Sequence, residues 1–243
     1  MNSIIICEGS TDSILLQYFL RNAYAWEDTK EKIPLARQFK TFRKLEKDGR
    51  TLCIGGSGGA SQIKDKFDFM LEVNSIATDH EEYNKIIIMT DRDELDTEAD
   101  FCEEIRQILS ARNVETEQEI RNDEWIHCKM YNGQANEISV DLLLLVIPFE
   151  RTGAMETFLL DAIAKADTYD DMIIRQGEAF VDSVDPDKRY LSKRRYITKA
   201  KFDVYFSVRT AAEQFVERQN VLKSIPWENY LLIQDSFKKF ADL

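Results

Sequence analysis

Apolar residues along the first 150 positions come in short dense bursts, each followed by a turn and then by a stretch where they recur every three or four residues. Residues 3–7 (SIIIC) form the first burst, continuous and β-branched, as in a strand buried on both faces of a parallel sheet. Ile14, Leu15, Tyr18 and Phe19 then fall on one side of a predicted helix that Ser10 or Thr11 can cap. Residues 51–54 repeat the theme, running into Gly55, Gly56, Gly58 and Gly59 before a helix marked by Ile63, Phe67, Met70 and Leu71. Residues 85–90 (KIIIMT) are the third burst, ended by Asp91-Arg92-Asp93 and followed by Phe101, Ile105, Ile108 and Leu109 at helical spacing. Residues 125–131 and 138–148 are further strand candidates, although DLLLLVI (141–147) fits a buried helical turn equally well.

Strand followed by helix three times over predicts an α/β fold with a right-handed, mostly parallel sheet. After Pro148 the character changes: 154–166, 198–207, 211–221 and 233–240 favour helix, and the polar stretch 182–187, with Pro186, reads as a loop. The expected organisation is an α/β domain over residues 1–149 and a helical C-terminal region over 150–243 packed on or beside it.

Composition narrows the chemistry. At 243 residues, 44% apolar and 31% charged, the chain can bury a substantial core without disulfide or metal staples. The longest apolar run, 142–148, is far shorter than a membrane span of roughly 18 residues, and no signal-like segment opens the sequence, so a cytoplasmic location and no membrane partner are expected. Cys7, Cys53, Cys102 and Cys128 form no CxxC pair and read as buried thiols. Only His80 and His127 are present, which excludes a His-rich zinc site and leaves oxygen ligands for any metal.

A formal charge of −12 argues against general coating of nucleic acid, yet residues 188–201 carry seven basic side chains and no acid. Lys188, Arg189, Lys193, Arg194 and Arg195, with Tyr190 and Tyr196 interleaved, suit a nucleic-acid backbone and its bases. A solvated face, or a helix covering the acidic domain, fits the same run.

In a parallel sheet the loops at the carboxyl ends of the strands share one edge, where ligands bind. Glu8, the glycine cluster and Asp91/Asp93 each directly follow a predicted strand, which brings them to that edge. Carboxylates held together there repel, by about 4 kcal/mol per pair at 4 Å and an effective dielectric near 20. A divalent cation relieves that repulsion, and an all-oxygen site favours Mg²⁺ or Mn²⁺. The backbone amides of Gly55, Gly56, Ser57, Gly58 and Gly59 are candidates to meet a phosphate.

Cys7-Glu8-Gly9-Ser10-Thr11-Asp12 resembles the EGxxD signature, and Thr90-Asp91-Arg92-Asp93 the DxD signature, of the Toprim domain of topoisomerases, bacterial primases, RecR-type repair proteins and overcoming-lysogenization-defect nucleases. The resemblance covers residues 1–148 and implies a compact α/β fold with a mainly parallel sheet. It implies that Glu8 is a general acid/base or metal ligand and that Asp91 and Asp93 bind Mg²⁺, with Asp12 at a further motif position. Asp96 stands where that family often has glycine. A chain this short has no room for topoisomerase gates, and it lacks a primase zinc module, so the resemblance is nearest to the lysogenization-defect nucleases without their ATPase half. In those nucleases further acids and a downstream lysine complete a two-metal centre; Glu137, Asp141, Glu150 and Glu156, and Lys199 or Lys201, are the candidates here. The activity implied is Mg²⁺- or Mn²⁺-dependent phosphodiester cleavage in DNA or RNA, with self-association or a protein partner left open.

Three other readings compete. Gly55 to Gly59 satisfies the G-x-S-x-G pattern of serine hydrolases, with Ser57 as nucleophile, but needs a histidine that neither His80 nor His127 clearly supplies. A phosphate loop would need a Gly-Lys-[Ser/Thr] after the glycines, and Lys64 is out of register. The stronger alternative is a non-catalytic module of the same fold that binds nucleic acid or protein.

Overall fold

The computed structural model describes residues 1–78, 80–213 and 217–243. The chain runs through β1 (Asn2–Cys7), α1 (Ser10–Tyr24), β2 (Glu27–Asp28), β3 (Thr41–Lys47), β4 (Arg50–Gly56), α2 (Ile63–Ile76), β5 (Tyr83–Asp91) and α3 (Thr97–Ala111). β6 (Glu115–Thr116), β7 (Trp125–Tyr131) and β8 (Glu137–Ile147) follow, and then α4 (Met155–Ala166), α5 (Thr168–Val184), α6 (Arg194–Arg209), α7 (Arg218–Ser224) and α8 (Leu231–Ser236).

The eight strands form one sheet in the order β2-β3-β4-β1-β5-β8-β7-β6. The four central strands are parallel, with β1 between β4 and β5, and β5 beside β8. Antiparallel pairs extend both sides, β2 and β3 beyond β4, and β7 and β6 beyond β8. The sheet is therefore mixed rather than mostly parallel. The reason is local: Asp48 and Gly49 both take positive φ (49° and 73°) in a two-residue turn between Lys47 and Arg50. That is the backbone of a type I′ hairpin, which reverses the chain and forces β3 antiparallel to β4. The run at 141–147 belongs to strand β8, not to a helical turn, and it pairs with β5 from Lys85↔Asp141 to Asp91↔Ile147.

The central strands are apolar throughout because both faces are covered. Ile5, Cys7, Ile87, Met89, Leu143, Leu145 and Ile147 face one cluster, shared with α1, α4, α5 and α6. Ile4, Ile6, Ile86, Ile88, Leu142, Leu144 and Val146 face the other, shared with α2 and α3. Residues on both sides of position 150 thus build one core, and Trp227, Phe237 and Phe240 near the C-terminus are buried in it. Cys7, Cys53 and Cys128 are buried, Cys102 is half-buried, and all four are free thiols.

Helix ends differ from expectation in three places. Gly9, not Ser10 or Thr11, caps α1, and Asp12 accepts the Gly9 N–H (2.9 Å). α5 occupies a stretch where no helix was expected and absorbs residues 182–184 of the predicted loop; Asp167 caps it by accepting from Tyr169 and Asp170 N–H. The predicted helix at 211–221 is a turn at 211–213 and helical only from Arg218, while 214–216 lie outside the described residues. Among the described residues no helix is long and apolar enough to cross a membrane.

The crossover from β1 to β4 uses α1 on one face, and that from β4 to β5 uses α2 on the opposite face. The direction of winding therefore reverses between β1 and β5, and a crevice opens beyond their carboxyl ends.

Candidate functional site

A cleft of about 270 Å³ occupies that crevice. Glu8, the first residue past β1, leans across to β5: its Oε1 accepts from Thr90 Oγ1 (2.7 Å) and from the Asp91 N–H (3.0 Å). Asp91, the last residue of β5, in turn accepts the Met155 N–H at its Oδ1 (2.9 Å). That amide is the first of α4, where the positive end of the helix dipole favours a carboxylate. Asp12 reaches the same cleft from the first turn of α1, and Glu156 from the first turn of α4.

These acids are crowded and dry. Burial, then the nearby Glu8 and Glu156, pushes the Asp12 carboxyl up to about 7. Burial raises Glu8 as well, against the hydrogen bonds from Thr90 and Asp91, with Asp93 and Glu156 adding to the rise. Asp91 is raised strongly, first by burial and then by Asp12, Glu8, Glu156 and Asp93. Glu156 is 4% exposed, and its Oε1 has no hydrogen-bond partner among the described residues. A buried, unpaired carboxylate oxygen is costly and calls for a cation or a proton.

The donor set is all oxygen, which suits Mg²⁺ or Mn²⁺. Among the described residues, however, no group of three or more His, Cys, Asp or Glu side chains is arranged to hold a metal ion. One oxygen each of Glu8, Asp12 and Asp91 is already committed to backbone amides. Ligation would therefore fall to Glu156 and to the second oxygens of Glu8 and Asp91.

Several expected site residues lie elsewhere. Asp93 stands at the rim, half exposed, and pairs with Arg194 (3.6 Å). Glu150 is 87% exposed beside Lys165. Asp141 and Glu137 sit in the first half of β8, away from its carboxyl end, where Asp141 pairs with His127 (3.0 Å) and Lys85 (3.8 Å). Lys201 is bound to Asp182 (2.9 Å) and does not line the cleft, whereas Lys199 does.

The glycine loop does not present free amides. Ser57 N–H donates to the Cys7 carbonyl (2.8 Å), and Gly58 and Gly59 N–H donate to the Glu8 carbonyl (2.7 and 3.0 Å). Its role is to clamp the end of β1 and so fix Glu8. Gly55 and Gly56 are demanded by packing, since a Cβ would meet Phe39 Cδ1 at 2.4 Å and Thr41 Oγ1 at 2.2 Å. Gly58 (φ 98°) and Gly59 (φ 142°) supply the left-handed backbone of the clamp. Ser57 Oγ also bonds the Cys7 carbonyl (3.0 Å), and neither histidine lines the cleft, so the serine-hydrolase arrangement is absent among the described residues.

Of the basic run, Arg195 and Lys199 line the cleft, while Lys188, Arg189 and Lys193 do not. Arg194 is structural: its guanidinium donates to the Arg92 (3.0 Å) and Gly153 (3.3 Å) carbonyls, tying α6 to the Asp91-Arg92-Asp93 loop. Arg92 itself is nearly buried and donates to the Pro148 carbonyl (2.7 Å) and Glu98 (2.6 Å). Lys40, on the approach to β3, also lines the cleft and was not anticipated. Asp96, in place of glycine, has φ −91°, which any residue adopts.

No curated protein matches the sequence. In structure the chain resembles a hypothetical protein of Pyrococcus horikoshii OT3, with a TM-score of 0.58 and 18% identity over 99% of this chain and 94% of that one. That likeness is one of fold. A lactoylglutathione lyase from Agrobacterium tumefaciens matches with a TM-score of only 0.18 and 10% identity, over 58% of this chain and 91% of its own. A fosfomycin resistance protein from Listeria monocytogenes matches at 0.17 and 13%, over 60% and 90%; neither score bears on fold or function. Residues 2–230 match the family described as protein of unknown function, DUF3226, and the chain belongs to that family.

Proposed function

We propose that this protein is a small Toprim-like enzyme that cleaves phosphodiester bonds of nucleic acid with Mg²⁺ or Mn²⁺. The observation that carries the proposal is the convergence of Glu8, Asp12, Asp91 and Glu156 on one cleft, three of them with carboxyls raised by burial and by one another. Backbone amides use one oxygen each of Glu8, Asp12 and Asp91, and a cation would account for the crowding of the rest.

In this scheme the second oxygens of Glu8 and Asp91, with Glu156 Oε1, hold the cation. When bound, it supplies charge neutralisation and a polarised water for in-line displacement at phosphorus. Thr90 and the Asp91 amide would hold Glu8 through its Oε1 and so leave the second oxygen for the cation. Lys199 and Arg195 oppose the acids and accept the phosphate charge.

The test is cleavage of single- and double-stranded DNA and RNA in Mg²⁺ and Mn²⁺, with Glu8→Gln and Asp91→Asn alongside. Both variants keep the oxygens that accept the backbone amides, so the fold should survive. Cleavage reduced by at least about a hundredfold in each supports the assignment. A wild type as silent as its variants rejects it.

A second reading has one specific observation in its favour: the acids are committed to backbone amides and no ready cation cage exists among the described residues. On that reading the chain binds nucleic acid or protein without cleaving, and unchanged heats of Mg²⁺ titration in Asp91→Asn would point that way.

A further inference from the structure

We propose that Lys40, on the approach to β3, and Lys199, on α6, grip one backbone phosphate of a single-stranded nucleic acid in the cleft that both line. This rests on the nucleic-acid part of the reading above and adds to it a strand class and a residue outside every motif.

Two observations carry it. Among the described residues, neither the Lys40 nor the Lys199 ammonium has an acidic or hydrogen-bonding partner. Both line the cleft whose floor holds the orphaned, buried Glu156 Oε1. Unpaired lysines facing buried acids mark a place for a ligand carrying both phosphate and cation.

The two lysines are placed independently. Lys40 is fixed by its own N–H donating to the Gly56 carbonyl (2.9 Å), and its stem passes close over Gly58, where a Cβ would stand 3.2 Å from Lys40 Cδ. Lys199 lies one turn after Arg195 on α6, so the two share the helix face that lines the cleft. Tyr196, 37% exposed with the Arg195 guanidinium 5.0 Å from its ring, stands beside that rim as a stacking surface for an unpaired base. A cleft of about 270 Å³ has room for a backbone unit beside Lys40 and Lys199, and the Tyr196 ring at its edge favours a strand with unpaired bases.

The experiment is anisotropy of a labelled single-stranded oligothymidylate against KCl, at a fixed low Ca²⁺ concentration, in full-length Glu8→Gln protein to hold cleavage off. Each phosphate contact to a single strand contributes a slope of about 0.7 in log K against log salt. Lys40→Gln and Lys199→Gln should each lower the slope by that amount and weaken binding about fivefold at roughly 0.1 M salt. The pair should weaken it about 25-fold, Lys40→Arg should restore the slope, and Lys201→Gln, already paired with Asp182, should change nothing. An unchanged slope in Lys40→Gln, an equal loss in Lys201→Gln, no binding at all, or equally tight binding of a duplex overturns the inference. Binding of this kind without any cleavage in the wild type would leave it standing and reject only the nuclease activity. Cleavage with unchanged slopes would do the reverse.

Discussion

Two groups of charged side chains lie at different heights on the same sheet, and they are resolved in opposite ways. In the first half of β8, Asp141 is met by His127 at 3.0 Å and Lys85 at 3.8 Å, and Lys85 also lies over the Trp125 ring at 4.8 Å. Beyond the carboxyl ends of β1 and β5, the partners of Glu8, Asp12, Asp91 and Glu156 among the described residues are one another, Asp93, backbone amides and Thr90. The first group is neutralised within the fold and is structural. The second is a set of mutually repelling, largely buried carboxyls with no cation paired to them among the described residues.

That contrast can be broken most forcefully by pH. Asp12 is raised to about 7 from an ordinary value near 4, so the folded state holds its proton more tightly than the unfolded state does. The stability it contributes is present below about pH 4 and is lost as pH climbs through 7, and Glu8 and Asp91 act in the same direction. Without divalent ions, Tm should be several degrees higher at pH 5 than at pH 8. Mg²⁺ should raise the pH 8 value, and Asp12→Asn should flatten the profile. A profile in Asp12→Asn identical to that of the wild type would show that Asp12 carries no such cost.

Next in size is Asp141→Asn. It removes a half-exposed pair and should lower stability by about 0.5–1 kcal/mol in urea unfolding, with catalysis untouched. Any loss of cleavage there would erase the distinction between the two groups. Smallest is Ser57→Ala, which deletes one of two hydrogen bonds to the Cys7 carbonyl, costs about 1 kcal/mol or less, and leaves metal-dependent cleavage in place.

The central strands and the positions of Glu8 and Asp91 were legible because continuous β-branched runs and a residue directly after a strand are local properties. The Asp48-Gly49 turn, a strong hairpin dipeptide, was present in the sequence but went unread, and it accounts for the antiparallel edge that β3 makes on β4. α5 was missed although Ile174, Gly177 and Val181 recur at helical spacing on its buried face, because the exposed Tyr169, Met172, Phe180 and Val184 scatter apolar residues over the rest of it. Gly177 deepened the disguise, although it is there because a Cβ would come within 3.2 Å of Val204 Cγ1 on α6. Glu156 and Lys40 could not be ranked from sequence, since docking of the Met155 amide on Asp91 and the turn into β3 place them, and both are tertiary events. The glycine cluster misled for a related reason: amides that look available in one dimension are consumed by carbonyls 50 residues away, as Ser57 N–H is by Cys7.

Arg92 fills the gap in the Asp91-x-Asp93 signature, where a motif reader sees only a spacer. Its side chain holds Pro148 and Glu98, and its carbonyl receives Gly153 N–H (2.9 Å) and Arg194. Positions 92, 98 and 194 therefore form a covarying set: among relatives, a change at one should be matched at the others, long before any acid of the cleft is allowed to drift.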